Sequence, residues 1–325
     1  MSAKVVVLMP EDSAQLDLVR RLAPEGAEIG WVDSTLPIEQ QAAQMQDTVS
    51  VIAIPSVFPM ELARACPNVK LVQTVSAGTN TIDIQALGEL GVKVANNGGG
   101  NAVAVAEHSI ALMVGAYRKL NLQLKSVKER QWAGDIRENW ASETYELTDK
   151  TVGIIGFGRI GQRVARRLQG WDCNLVYNDV VSFPVELEQE LHVTRVSRDE
   201  LLQTSDIVTL HVPLNRHTRA MISDKEFDMM KSNAVLINAC RGPVVDEAAL
   251  IRAMNAKQIA AAGLDVLEEE PTRPDNPLLD MDNVLVTPHL AGMGVEAFEK
   301  SRTFATKNAA SVAAGNEPES VVLPE

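Results

Sequence analysis

Three ionisable residues stand just beyond short apolar runs in the second half of the chain. Arg241 follows Leu236-Ile-Asn-Ala-Cys240, Glu270 comes a few residues after Leu264-Asp-Val266, and His289 follows Val286-Thr-Pro288. Read as strands, these runs belong to an open parallel sheet, where ligands collect beyond the carboxyl ends. The three residues could therefore converge on one edge, and Pro288 helps by ending the ladder before His289. Taken singly, each has an ordinary explanation: Arg241 as a surface ion-pair donor, Glu270 as one more acid in Glu268-Glu-Glu270, His289 as a core or capping histidine. As a set they describe a reaction. Arginine grips a carboxylate with two prongs and polarises the carbonyl beside it. Histidine gives and takes a proton near neutral pH, and a carboxylate beside it orients the ring.

What such a proton accompanies is indicated upstream. Thr151-Val-Gly-Ile-Ile-Gly-Phe-Gly-Arg-Ile-Gly-Gln162 runs from an apolar strand through Gly156-x-Gly158-x-x-Gly161 into a helix expected to begin near Arg159. Gly156 allows the tight turn, Gly158 lets a pyrophosphate approach the backbone, and Gly161 lets helix and sheet pack closely. The helix start then presents free N–H groups and a positive dipole end. A second strand, Cys173 to Tyr177, leads to Asp179, which stands about 20 residues past the turn, where a carboxylate holds the adenosine ribose and repels a 2′-phosphate. No arginine follows in residues 180–184. NAD is therefore the expected cofactor rather than NADP. Hydride transfer at an alcohol carbon, with Arg241, Glu270 and His289 nearby, asks for a 2-hydroxy or 2-keto acid.

The elements that must position these groups alternate. β-branched runs at 4–9, 28–32, 50–54, 71–75 and 92–95 are separated by helix-like stretches, which indicates a parallel α/β sheet. Beyond the glycine turn the pattern resumes with strands at 152–155, 173–177, 206–210, 234–238, 260–264 and 283–287, the six of a full Rossmann sheet. Ser197-x-x-Glu200 and Ser223-x-x-Glu226 fit capping boxes that open helices. Asn96-Asn-Gly-Gly-Gly-Asn101 reads as a hinge before a long helix. The tail from about Leu290 is too short to fold alone and is expected to return to the first domain. The expected architecture is α/β, two doubly wound domains: a flavodoxin-like substrate domain of residues 1–101 and 290–325, and an inserted Rossmann NAD-binding domain of residues 102–289. Ser76-Ala77-Gly78, after a strand of the first domain, could receive a carboxylate on its N–H groups or could simply close a strand-to-helix turn. The connector from Trp132 to Trp140 has no evident role.

At 325 residues, 46% apolar and 22% charged, the chain has ample core for two domains. A net charge of −13 opposes nucleic acid and anionic membrane as partners, and means that an anionic ligand needs local cations such as Arg159 and Arg241. Cys66, Cys173 and Cys240 are too widely spaced for a disulfide framework or a metal set. No run of about 18 apolar residues occurs, and the first strand opens directly after Lys4, so a cytoplasmic protein is expected.

The motifs Gly156-Phe-Gly-Arg-Ile-Gly161, Leu210-His-Val-Pro-Leu214, Ile237-Asn-Ala-Cys-Arg-Gly-Pro-Val-Val-Asp246, Gly263-Leu-Asp-Val266, Glu270-Pro271 and Thr287-Pro-His-Leu-Ala-Gly292, with Val105-Ala-Glu-His108, resemble the D-isomer-specific 2-hydroxyacid dehydrogenase family. The resemblance runs in order from about Val72 to Gly292. It implies that Arg241 binds the substrate carboxylate and carbonyl, that His289 is the acid/base, and that Glu270 pairs with it. It implies cofactor contacts from Gly156, Gly158, Arg159, Ile160, Gly161, Asp179, His211, Val212, Pro213, Thr218, Ala239, Arg241, Asp265 and His289, with Asp265 meeting the nicotinamide amide. It gives Ser76, Ala77 and Gly78, together with Arg241 and His289, to the substrate. It further implies a homodimer built on the helices after Asn101, and domains that close over the substrate.

Two departures matter. Met293-Gly294 stands where the family often has an aromatic or small residue and then Thr, and no regulatory domain of the long phosphoglycerate dehydrogenases follows. Glu270 argues against a formate dehydrogenase, which by resemblance carries Gln there. The expected substrate is a small acid such as glyoxylate or hydroxypyruvate. The alternatives are phosphoglycerate dehydrogenase-type activity or an NAD-sensing binding protein of the same superfamily.

Overall fold

Strands buried on both faces dominate the computed structural model, which describes residues 4–132 and 143–324. Trp140 lies outside the described residues; Trp132 is 82% exposed. The chain divides into two units, Met1–Asn101 with Met293–Glu325, and Ala102–Gly292.

In the first unit, β1 (Val5–Met9), α1 (Ser13–Leu22), β2 (Ile29–Asp33), α2 (Ile38–Gln44), β3 (Ser50–Ala53), α3 (Met60–Ala65), β4 (Leu71–Thr74), α4 (Ile84–Glu89) and β5 (Lys93–Ala95) alternate as expected. The strands pair in parallel in the order β5-β4-β3-β1-β2, the flavodoxin-like order. Alternation along each strand sorts the core into two layers. Val6, Leu8, Val51 and Val72 face Leu62 and Leu87, while Val5, Val7 and Ile52 face Val19 of α1. The returning tail supplies the missing cover. A long helix, Val295–Ala313, buries Ala305 and Ala309 against Val5, Val7 and Ile52, and Val321–Val322 adds an antiparallel edge strand to β5.

A buried amide pair ties that tail down. Gln73 of β4, wholly buried, donates to the carbonyls of Thr74 (2.8 Å) and Asn96 (2.8 Å), and its Oε1 accepts from Asn308 Nδ2 at 2.7 Å. Asn308 in turn bonds Glu319 through both its oxygen (2.8 Å) and its nitrogen (3.0 Å), setting the register in which the last strand meets β5.

The second unit contains α5 (Ala102–Tyr117), α6 (Leu120–Lys128), β6 (Thr151–Ile155), α7 (Gly161–Leu168), β7 (Asn174–Asn178), α8 (Val185–Glu190), β8 (Val193–Arg195), α9 (Arg198–Thr204), β9 (Ile207–Leu210), α10 (Asp224–Met229), β10 (Val235–Asn238), α11 (Glu247–Asn255), β11 (Ala261–Leu264) and β12 (Val284–Val286). Its parallel sheet has seven strands in the order β12-β11-β10-β9-β6-β7-β8, a Rossmann order with one strand more than the sequence suggested. The addition is β8, only three residues long and too short for a periodicity to show. α5 and α7 cover one face of this sheet; α9, α10 and α11 cover the other. Both expected helix starts are capped: Ser197 accepts from Glu200 N at 3.1 Å, and Glu226 Oε2 accepts from Ser223 N at 3.1 Å.

Truncating Asn308 to Ala strands the Oε1 of Gln73 in the core, so Asn308→Ala is expected to destabilise the first unit by about 1–3 kcal/mol. The early loss should be seen as faster amide exchange at residues 319–322; unchanged exchange there would argue that the amide pair carries none of the tail's anchoring.

Candidate active site

The site is built at the carboxyl edge of the seven-stranded sheet. β6 ends at Ile155 and turns at Gly156, whose φ of 91° lies in the region open to glycine. A Cβ on Gly156 would sit 2.5 Å from the carbonyl of His211, and one on Gly161 would sit 2.3 Å from the carbonyl of Gly156. Both positions are closed to any other residue by backbone atoms. Gly158 differs: no protein atom lies within 4 Å of the position its Cβ would take, and the residue is exposed. The backbone there opens outward at the start of α7, the arrangement a pyrophosphate needs. α7 starts at Gly161, with Ile160 packed on the core, while Arg159 is exposed and its carbonyl accepts from Arg163 Nη1 at 2.6 Å.

Asp179 follows β7 directly. Its Oδ2 accepts from Phe157 N at 2.6 Å and its Oδ1 from Val181 N at 2.9 Å, so the carboxylate holds the glycine turn to the end of the neighbouring strand. Arg195, from the unanticipated β8, donates to the Asp179 carbonyl (3.0 Å) and to Ser182 Oγ (2.6 Å). This cation lies outside residues 180–184 and comes across the sheet from the next strand.

After β9, His211 donates its N–H to the Ile155 carbonyl at 2.8 Å, with Nε2 2.9 Å from Thr209 Oγ1 and Nδ1 buried without a partner. Burial pushes its pKa down to about 3, so the ring is neutral beneath the turn. Val212 and Pro213 follow, and Thr218 closes their loop by donating to the Pro213 carbonyl at 2.6 Å and accepting from Asn215 N at 2.8 Å.

β10 ends at Asn238, whose side chain shapes the next turn. Its Oδ1 accepts from Cys240 N at 3.1 Å and its Nδ2 donates to the Arg241 carbonyl at 3.0 Å, with Ala239 buried between them. Arg241 leaves this turn in an extended conformation, its Nη1 donating to the Cys240 carbonyl at 2.5 Å. Burial raises the Cys240 thiol to about 11, which keeps it an inert neutral group. Gly242 is the tightest point of the edge: a Cβ there would fall 1.7 Å from the Leu267 carbonyl oxygen. The loop bearing Arg241 thus lies directly on the loop that leads to Glu270.

Asp265, 1% exposed, follows β11 and organises the last loop. Its Oδ1 accepts from Thr287 Oγ1 (2.6 Å) and Leu290 N (3.0 Å), its Oδ2 from Ala291 N (2.8 Å), and its carbonyl from His289 N (2.7 Å). His289 has φ of 55°, a left-handed conformation costing a non-glycine residue roughly 1–2 kcal/mol. The bonds to Asp265 hold it there. So placed, His289 Nδ1 stands 2.5 Å from Glu270 Oε2, while Glu270 Oε1 accepts from Leu267 N at 3.0 Å. Both side chains are reachable from solvent, at 46% and 36% exposure. The ring is aimed by one carboxylate and its other nitrogen is left for an external proton acceptor.

The structure therefore brings Arg241, Asp265, Glu270 and His289 to one edge with the glycine turn. Ser76, Ala77 and Gly78 belong to the other unit, past the end of β4. There Ser76 Oγ donates to the Gly78 carbonyl at 2.7 Å and lies 2.8 Å from Ser56 Oγ, an internally bonded turn.

A Rossmann sheet with an open glycine turn at its carboxyl edge, and a histidine–carboxylate pair and an arginine on loops of the same edge, marks a nicotinamide-dependent oxidoreductase. Residues 110–291 match the family profile of the D-isomer specific 2-hydroxyacid dehydrogenase NAD binding domain. The chain is 43% identical over 238 residues to a D-3-phosphoglycerate dehydrogenase of Archaeoglobus fulgidus, a match that takes in 73% of this chain but 44% of that protein. It is 32% identical over 318 residues to a glyoxylate reductase of Korarchaeum cryptofilum, covering 97% of this chain and 91% of that one. A solved glyoxylate reductase from Paecilomyes thermophila superposes with a TM-score of 0.85 at 28% identity, over 99% of each chain. The chain belongs to the D-isomer-specific 2-hydroxyacid dehydrogenase family, whose cofactor here is NAD.

Neutral His211 has a consequence for stability. Its unfolded counterpart takes up a proton near pH 6.5, the folded one only near 3, so this contribution is complete above about 6.5. It is lost as the pH falls from there towards 3, at up to about 1.4 kcal/mol per pH unit. Thermal midpoints taken at about pH 7.5 and about pH 5 should draw apart less in His211→Gln than in the wild type; equal differences would show that His211 does not set the acid limit.

Proposed function

We propose that the protein reduces a small, unphosphorylated 2-keto acid, of the glyoxylate or hydroxypyruvate kind, to the D-2-hydroxy acid with NADH. The observation that carries this reading is the 2.5 Å contact of His289 Nδ1 with Glu270 at the strand edge that also presents Arg241. The turn at Gly156, Gly158 and Gly161 would hold NADH, which would supply the hydride for C2. Arg241 grips the substrate carboxylate and draws electron density from the keto oxygen. His289 donates a proton from Nε2 to that oxygen, Glu270 keeping the ring aimed through Nδ1; in the reverse direction the same nitrogen takes the proton back. Small acids are favoured because the sequence of the first unit has no basic cluster for a phosphate, and because a glyoxylate reductase is matched over nearly its whole length.

Asp179 favours NADH over NADPH, with Arg195 nearby tempering that preference. The protein acts as a homodimer. Leu124 (62% exposed) and Val127 (56%) on α6 support this, with the exposed Trp132 just beyond the helix. Among the described residues no helix is long and apolar enough to cross a membrane, and the three cysteines are free, which suits a reducing cytoplasm.

The test is oxidation of NADH and NADPH against glyoxylate, hydroxypyruvate, its phosphate, pyruvate and longer 2-keto acids. Preference for a small unphosphorylated acid with NADH is expected, and His289→Gln should cut that turnover by roughly 100-fold or more while NADH still binds. A wild type that binds NADH but turns over none of the acids would support an NAD-sensing protein instead. Light scattering should give the mass of two chains, and Leu124→Asp should shift it towards one; a monomeric wild type would remove the dimer.

A further inference from the structure

His108 lies on α5, far in sequence from every loop of the sheet edge, and the reaction described above makes no use of it. Its Nε2 is 2.9 Å from Thr287 Oγ1 and 3.5 Å from Asp265 Oδ1, and its side chain is 26% exposed against 1% for Asp265. The polarity of this contact follows from its neighbours. A carboxylate only accepts, and the single hydroxyl proton of Thr287 goes to Asp265 Oδ1 at 2.6 Å. Thr287 Oγ1 must then accept from His108, which therefore carries its proton on Nε2. A directed chain results: His108 N–H to Thr287, Thr287 O–H to Asp265, and the N–H groups of Leu290 and Ala291 to the same carboxylate from the other side.

His289 sits between those donors, in a left-handed conformation that its surroundings must enforce. Its own N–H is bonded to the Asp265 carbonyl at 2.7 Å. Any rotation of Thr287 frees one side of the carboxylate and with it the loop. We propose that His108 is a positioning residue for His289, holding the Thr287 hydroxyl so that Asp265 keeps the 287–291 loop in the conformation that sets the Glu270 contact. The inference rests on the reading of His289 as the proton donor. Arg241 is held by a different loop, through Asn238, so loss of His108 should act on the proton step and leave the grip on the keto acid unaltered.

The two variants that test this are His108→Leu, which keeps bulk but cannot donate, and His108→Gln, which can donate through its amide. The chain has only five histidines, so the imidazole proton–carbon NMR spectrum is simple, and the His289 signal is identified by its loss in His289→Gln. In His108→Leu the His289 signal should move and kcat with glyoxylate and NADH should fall roughly 10- to 100-fold, with KM for glyoxylate little changed, as a misplacement near 1 Å produces. His108→Gln should restore both. An unmoved His289 signal in His108→Leu overturns the proposal, as does an equal loss in the two variants, which marks His108 as packing alone. The spectrum needs no substrate, so it decides the point even where glyoxylate is not turned over. If His289→Gln itself keeps full turnover, the proton-donor reading fails, whatever the spectrum says of His108.

Discussion

The carboxylate of Asp265 is the constraint on which the rest of the site depends. It is buried, and it accepts from a threonine hydroxyl and from two successive backbone N–H groups, so the loop after β12 has one conformation in which all three donors are satisfied. That conformation places His289 in the left-handed region, a strain that only several converging bonds can hold. Its reward is direction: the imidazole meets Glu270 on one nitrogen and offers the other to solvent and ligand.

Close backbone approach does for the remaining loops what Asp265 does for this one. At Gly242 the chain passes so near the Leu267 carbonyl that no side chain fits, which couples the arginine loop to the glutamate loop through close backbone approach. At Gly156 the approach is to the His211 carbonyl, and it draws the ends of β6 and β9 together beneath the cofactor turn. Asp179 closes the third side by accepting from Phe157 N. The loops at the edge are thus braced by neighbouring strand ends as well as by bonds within their own sequence. An edge built this way presents its groups already oriented, which is what transition-state electrostatics requires of a site.

Much of this could be read from the sequence, because the signals are local. Apolar runs of strand length between helical stretches identify both parallel sheets, and the order of glycines marks the phosphate turn. β8 escaped because three residues cannot display a period, and Arg195 escaped with it, since its neighbour Asp179 is reached only across the sheet. The pairing of His108 with Thr287 escaped for the same reason: the partners come from a helix before the sheet and a strand at its far edge. Both oxygens of Asp265 are engaged by the loop that carries His289, a role no spacing announces.

What the sequence by itself determined is which residues could do chemistry and on which strand ends they stand, since type, order and strand period are written along the chain. Tertiary structure alone decided how those strand ends meet. Sheet order β12-β11-β10-β9-β6 sets Asp265 beside Thr287 and Gly242 against Leu267, and neither neighbour is near the other in the chain. Hydrogen bonds and steric contacts fall off within a few ångströms, so the pairs that aim His289 exist only once distant strands are packed side by side.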